Sequence, residues 1–299
     1  MSKKQIVIIT GALSGIGEEC ARTFSQAGYN VVISGRNEQR GRELETELRQ
    51  VNPEIHFFLA DIVFENQFSE LIKYTQQIFG TIDVLLNVAG TEGQPISHDK
   101  TTVEDFRHVF DTNVLGTQLV MKHVLPVMCK QESGSLVNFS SQAGQVGIPG
   151  GSVYSASKHA VNGLTRSAAL EVAADGVRVN AIAPGPVATA MFDRFVGNDP
   201  IAKENFLSKM PTGRIVTTEE IAATALFLAS DNARSIRGQF GYRKLLYYKD
   251  FPGMSKPVFM VSVCSSVKIK GRDCGTINGH DESSSIRALM KDAREVLVR

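Results

Sequence analysis

The chain has 299 residues, 42% of them hydrophobic and 21% charged, with a formal net charge of +1. That is ordinary globular composition, long enough for a buried core and one or two domains. The near-neutral balance gives no reason to expect a nucleic-acid partner, and the longest apolar stretch, PVFMVSVC near residue 260, falls far short of the roughly 20 residues of a membrane span.

The first predicted element is a strand over 5–10, QIVIIT, which runs into ITGALSGIGEECA with glycines at 11, 15 and 17. Their spacing, G-x-x-x-G-x-G, differs from the G-x-G-x-x-G of the common dinucleotide fingerprint. A strand end, a glycine turn and a helix N-terminus can still cradle a phosphate, because small residues admit the backbone to the anion and first-turn amides point at it. The glycines alone also fit a tight turn without a ligand. Further strands are expected at 30–34, 55–60, 82–88, 134–140 and 177–183, with helical patterns between them. One of these, NQFSELIKYTQQIF, places Phe68, Leu71, Ile72, Thr75 and Ile78 on a single stripe. Strands apolar on both faces, alternating with amphipathic helices, give an α/β fold: a doubly wound parallel sheet, Rossmann-like, in a single domain.

VYSASKHAV, residues 153–161, sets Tyr154 and Lys158 at i and i+4, on one helix face about 5–6 Å apart. Bringing a phenol from its ordinary pKa of about 10 towards 7 takes roughly 4 kcal/mol, and one positive charge at about 5 Å supplies roughly 3 kcal/mol of it. Lys158 is therefore expected to activate Tyr154 as an acid/base. Taken alone, the pair also fits a packed tyrosine beside a solvated lysine.

The two motifs recur in order with four others: TGALSGIG (10–17), NVAG (87–90), Asn113 in DTNVLG, NFSS (138–141), YSASK (154–158) and PGPVATAM (184–191). In these residues, over positions 5 to about 239, the chain resembles the short-chain dehydrogenase/reductase family. The resemblance implies an oxidoreductase that moves a hydride between a nicotinamide cofactor and a secondary alcohol or ketone. By position, Tyr154 resembles the catalytic acid/base, and Lys158 the residue that lowers its pKa and holds the nicotinamide ribose. Ser141, thirteen residues before Tyr154, matches the serine that bonds the substrate oxygen, in preference to its neighbour Ser140. Asn113 matches the residue that positions a water joining Lys158 to solvent. On the cofactor side, Gly11, Ser14, Ile16 and Gly17 resemble the pyrophosphate turn, and Asp61 the adenine contact. Asn87, Ala89 and Gly90 resemble the frame of the adenosine ribose, and Pro184, Val187 and Thr189 the nicotinamide segment.

Members that prefer NAD carry an acidic residue at the position of Gly35. Here Arg36 follows a glycine, so NADP is expected over NAD, a charge-assisted pair with the 2′-phosphate being worth roughly 1.5–3 kcal/mol. Arg36 as a solvated helix-start residue with loose selectivity is the other reading. A non-catalytic dinucleotide-binding regulator on the same fold is the alternative function, because fold alone does not fix activity. The apolar residues Phe192, Phe195, Phe206 and Leu207, in the loop after PGPVATAM expected to form the lid, suggest an at least partly apolar small-molecule substrate.

Scattered cysteines, Cys20, Cys129, Cys264 and Cys274, and an N-terminus without secretory character point to a reducing, cytoplasmic setting with no metal centre. Residues 1–239 are expected to form the catalytic domain and 240–299 an atypical basic tail, partly ordered, with 11 Lys and Arg against 6 Asp and Glu. After SIRGQ (235–239) the family's closing V-D-G-G turn is absent. The sixth strand is thus expected to be a bare edge unless KPVFMVSV (256–263) covers it, and a helix is possible at 284–299. The family resemblance implies a homodimer through long helices near 104–130 and 153–174, with the tetramer weakened or absent.

Overall fold

The structure is a computed structural model and describes residues 4–196, Glu204, Ser208 and 214–241. Seven parallel strands form one sheet in the order β3-β2-β1-β4-β5-β6-β7. They are β1 (Ile6–Thr10), β2 (Asn30–Gly35), β3 (Ile55–Leu59), β4 (Val84–Asn87), β5 (Gly134–Phe139), β6 (Val177–Ile182) and β7 (Phe240–Gly241). The order reverses between β1 and β4, and in doubly wound sheets that switch point opens a crevice at the carboxyl ends of the strands.

The helices are α1 (Gly15–Gln26), α2 (Glu38–Arg49), α3 (Glu65–Phe79), α4 (Val103–Phe110), α5 (Gly116–Lys130), α6 (Ser152–Glu171), α7 (Ala190–Val196) and α8 (Thr218–Ala229). Successive side chains of a strand point to opposite faces. Val7 and Ile9 of β1 accordingly join Val31 and Ile33 in one core with Phe24 of α1, Leu44 of α2 and Ala225 of α8. Ile8 and Val32 join the other, with Phe68 of α3, Val124 of α5 and Ala168 of α6.

Three expectations change. Ile78 is 39% exposed, because it lies at the margin of the α3 stripe whose centre is Phe68, Leu71, Ile72 and Thr75. The helix expected near 104–130 is interrupted by a π-helical turn at Asp111–Leu115. The sixth strand is not left bare after Gln239: Phe240 pairs with Ala181 and Gly241 with Ile182, in parallel. The chain reaches that register through Gly238, which has φ +66° and donates to the Val179 carbonyl, and through Asn180, whose side chain bonds Gln239 N and Ile236 O. The sheet therefore runs past the expected boundary at 239. The strand expected at 256–263 and the helix at 284–299 lie outside the described residues.

Candidate active site

At the carboxyl end of the sheet a buried polar row crosses three strands. Thr10, Asn87 and Asn138 stand side by side in register on β1, β4 and β5. The Thr10 hydroxyl donates to Asn87 Oδ1 at 3.0 Å, and Asn87 Nδ2 donates to Thr117 Oγ1 at 3.0 Å and Asn138 Oδ1 at 3.2 Å. Asn138 Nδ2 then reaches Thr165 on α6 at 3.0 Å. The Asn87 side chain is thus spent inside the sheet, and only 2% of the residue is exposed. Thr10, Thr117 and Asn138 were not singled out from sequence; the signal is that the first and last occupy strand ends brought into one register.

Above this row the glycine turn is tight. Gly11 has φ +63°, and a Cβ there would lie 2.7 Å from Ala89 Cα and N. On Gly17 a Cβ would fall 2.1 Å from the Gly11 carbonyl oxygen. Ser14 is the extended N-cap of α1 and makes no side-chain cap, which leaves the first-turn amides free of a protein side chain. Ile16 packs against the β1 core from the same turn. Thr189 approaches from the other side, its Cγ2 3.3 Å from where a Cβ of Gly15 would stand. Pro184 and Val187 precede it; the Pro184 carbonyl accepts from Gln142 N at 2.8 Å, and buried Val187 bridges to Val216. Uncapped amides above a floor that excludes Cβ atoms fit a pyrophosphate, with no metal ligand set among the described residues.

Arg36 follows β2 with its side chain 69% exposed and a guanidinium nitrogen 3.7 Å from Asp61 Oδ2. Asp61 itself accepts from Val63 N at 3.2 Å in the loop after β3. The two side chains therefore stand beside each other past the ends of β2 and β3.

The second group gathers around α6. Lys158 is buried, and its Nζ donates to the Phe139 carbonyl at 2.8 Å and lies 5.7 Å from the centre of the Tyr154 ring. Burial pulls its pKa down to about 8. Tyr154 departs from the expected activation: burial pushes its pKa up, a hydrogen bond with Ser141 pulls it back, and the negative charge of Glu92 adds to the rise. The Lys158 ammonium is engaged by the Phe139 carbonyl. Of the two serines, Ser140 is buried with its hydroxyl on the Lys158 carbonyl at 3.2 Å, whereas Ser141 caps the short turn Gln142–Gly144 beside Tyr154.

Asn113 projects from the π turn. Its Oδ1 accepts from Thr91 N at 2.8 Å, and its Nδ2 donates to Thr91 O at 2.8 Å and Ser157 Oγ at 3.0 Å. The Asn113 amide is therefore a clamp on the loop after β4, with a single Oδ1 lone pair left for a water. A Cβ added to Gly90 would lie 3.2 Å from that Oδ1 and 3.3 Å from Lys158 Nζ, so Gly90 is where the two meet. Ser157, missed in sequence, donates to the Tyr154 carbonyl at 2.7 Å; its place between Tyr154 and Lys158 in YSASK was the available signal.

Comparison with known proteins identifies the family of the chain. The family model described as enoyl-(acyl carrier protein) reductase matches residues 11–242. A 3-oxoacyl-[acyl-carrier-protein] reductase FabG of Thermotoga maritima is 36% identical over 239 residues, covering 79% of this chain and 94% of its own. The xanthoxin dehydrogenase of Arabidopsis thaliana is 37% identical over 248 residues, covering 78% and 86%. Among solved structures, ElxO with NADP bound superposes with a TM-score of 0.75 at 33% identity, over 79% of this chain and 96% of that one.

Proposed function

The chain belongs to the short-chain dehydrogenase/reductase family, and from that premise we propose that it reduces a ketone, or oxidises the matching secondary alcohol, with NADP(H). The observation that carries the reading is the convergence of Ser141, Tyr154 and Lys158 with the Asn113 clamp at the mouth of the glycine cradle. NADPH, when bound, supplies the hydride. Gly11, Ser14, Ile16 and Gly17 would receive the pyrophosphate. Asp61, Ala89 and Gly90 would border the adenosine, with Asn87 beneath them, and Pro184, Val187 and Thr189 the nicotinamide.

In the reductive direction Ser141 holds the carbonyl oxygen and Tyr154 gives it a proton. Burial holds the Tyr154 phenol in its protonated form, the form needed to give a proton. Lys158, with a pKa near 8 and its Nζ on the Phe139 carbonyl, is the group that would return the proton. Arg36 favours the 2′-phosphate of NADP, a preference supported by the NADP bound in ElxO. The relatives reported above are oxidoreductases, which leaves the regulator reading without support. Phe192 is buried, in keeping with a partly apolar lid, while Phe206 and Leu207 lie outside the described residues.

We further propose a cytoplasmic homodimer. Val103, Phe106, Leu115 and Leu170 are exposed on α4, the π turn and α6, and no helix among the described residues is long and apolar enough to cross a membrane. The test of activity is oxidation of NADPH, followed at its absorbance, against ketones, aldehydes, sugars, steroids and acyl thioesters. Turnover of at least one carbonyl class is expected; none across the panel, with NADPH shown to bind, would refute the enzyme.

A further inference from the structure

Between the loop after β4, α4 and α7 lies a cavity of about 300 Å³ that adjoins the candidate site on two sides. Thr91 lines it, with both its N–H and its carbonyl held by Asn113. The residue before it is Gly90, where an added Cβ would stand 3.3 Å from Lys158 Nζ. Across the cavity Arg194 lines it from α7, a helix that begins at Ala190, next to Thr189 of the expected nicotinamide segment. Small-molecule pockets are mostly apolar. This one is polar: no apolar side chain lines it among the described residues, and Phe192 of α7 is itself buried.

Its lining offers donors on one side and acceptors on the other. Glu92, with its side chain only 7% exposed, accepts from Arg194 Nε at 2.7 Å, so these two charges offset each other. That bond uses Nε alone. The terminal amino groups of Arg194, on a side chain 62% exposed, have no hydrogen-bond partner among the described residues, and Gln94 adds an exposed amide. Opposite them, α4 brings Glu104 and Asp105. Asp105 Oδ2 accepts from the Thr102 N–H at 3.0 Å and hydroxyl at 2.6 Å, which leaves Oδ1, and Glu104 is exposed.

We propose that this cavity receives the non-reacting end of the substrate, and that this end is an uncharged group with neighbouring hydroxyls, as in a sugar or another polyol. The proposal rests on the oxidoreductase reading of the adjoining site and names its substrate class. A hydroxyl both donates and accepts. Neighbouring hydroxyls would donate to Glu104 and Asp105 and accept from Arg194 and Gln94, satisfying both sides at once. A carboxylate or phosphate would instead meet two acids that form no ion pair among the described residues. An ammonium would meet the Arg194 guanidinium. An alkyl end would strip water from all of these groups and replace none of their hydrogen bonds.

Four methyl ketones that differ at the far end test this on the full chain with NADPH: 5,6-dihydroxyhexan-2-one, hexan-2-one, 5-oxohexanoate and 5-(trimethylammonio)pentan-2-one. The diol should exceed each of the others in kcat/KM by at least about tenfold, and a smaller margin over any of them overturns the proposal. Glu104→Gln, on the exposed face of α4 and outside the catalytic group, should raise KM for the diol about five- to tenfold, leave kcat within about twofold and improve kcat/KM for 5-oxohexanoate. Movement of the two substrates in opposite directions separates recognition from a general loss of structure; movement in the same direction, or none, overturns it. If no carbonyl compound at all is reduced, the oxidoreductase reading fails, and saturation-transfer NMR of the same four compounds with the full chain and NADP+ still judges the cavity. Transfer to the hydroxyl-bearing end of the diol, weakened in Glu104→Gln, is expected. No transfer there, or equal transfer to hexan-2-one, overturns the site.

Discussion

Tyr154→Phe removes one oxygen and keeps the ring, so it separates proton transfer from packing. Turnover should fall by about 10²-fold or more while NADPH affinity, read by fluorescence titration, stays within about twofold. Lys158 gives a second, opposite kind of result. Burial lowers its pKa from 10.5 to about 8, so the folded state holds its proton less firmly than the unfolded one. Below pH 8 the cost of the buried charge is fully present; between pH 8 and 10.5 the folded protein sheds the proton first and the cost fades. Lys158→Met should therefore be inactive yet more stable than the parent at pH 7, by about 2 kcal/mol in urea unfolding, with the advantage shrinking as pH rises through that window. Arg36→Ala should weaken NADPH about 10- to 100-fold and leave NADH unchanged in the same fluorescence titration. Gly35→Asp together with Arg36→Ala should reverse the preference towards NADH, with the partly exposed Leu13 side chain shifting to admit the new Cβ.

The β1–α1 turn works as one element. A Cβ on Gly17 would press on backbone, the Gly11 carbonyl and Ala12 Cα, so Gly17→Ala should open the turn, weaken NADPH at least tenfold and lower the melting temperature. Gly163→Ala, on an exposed part of α6 with nothing within 4 Å of the added methyl, should instead stabilise by about 0.5–1 kcal/mol. Elements of the first kind were legible in the sequence because glycine spacing and strand hydrophobicity are local signals; β1, β2 and β5 begin or end within a residue of their apolar runs. The π turn was not legible, since one extra residue in a turn changes hydrogen-bond phase without changing composition, yet it is what turns Asn113 towards Thr91. Nor could periodicity tell that Asn87 would be consumed by Thr10, Thr117 and Asn138, because those partners are distant in the chain. Glu92 was invisible for the same reason: a lone acid after NVAG means nothing until α7 brings Arg194 to it.

For the molecule as a whole, the proposed dimer gives a mass prediction. Phe106 and Phe110 stack at 4.2 Å, and Phe106 remains 45% exposed, an apolar platform that α4 offers to a second copy. Light scattering should give twice the mass of one chain for the parent and a monomer for Phe106→Glu. A parent mass of four chains would show that the closing β7 edge supports the second interface after all. That edge was misjudged from sequence because a missing terminal motif was read as a missing strand, although strand pairing needs only backbone groups and register. The row of Thr10, Asn87 and Asn138 has its own consequence for how the chain folds. Its hydrogen bonds join residues 77 and 51 positions apart, so none can form until β1, β4 and β5 have docked in the correct register. A slip of one residue would turn these amides to the opposite face and strand them among aliphatic side chains. The row thus favours the native register over a slipped one, which could keep hydrophobic contact but not these bonds.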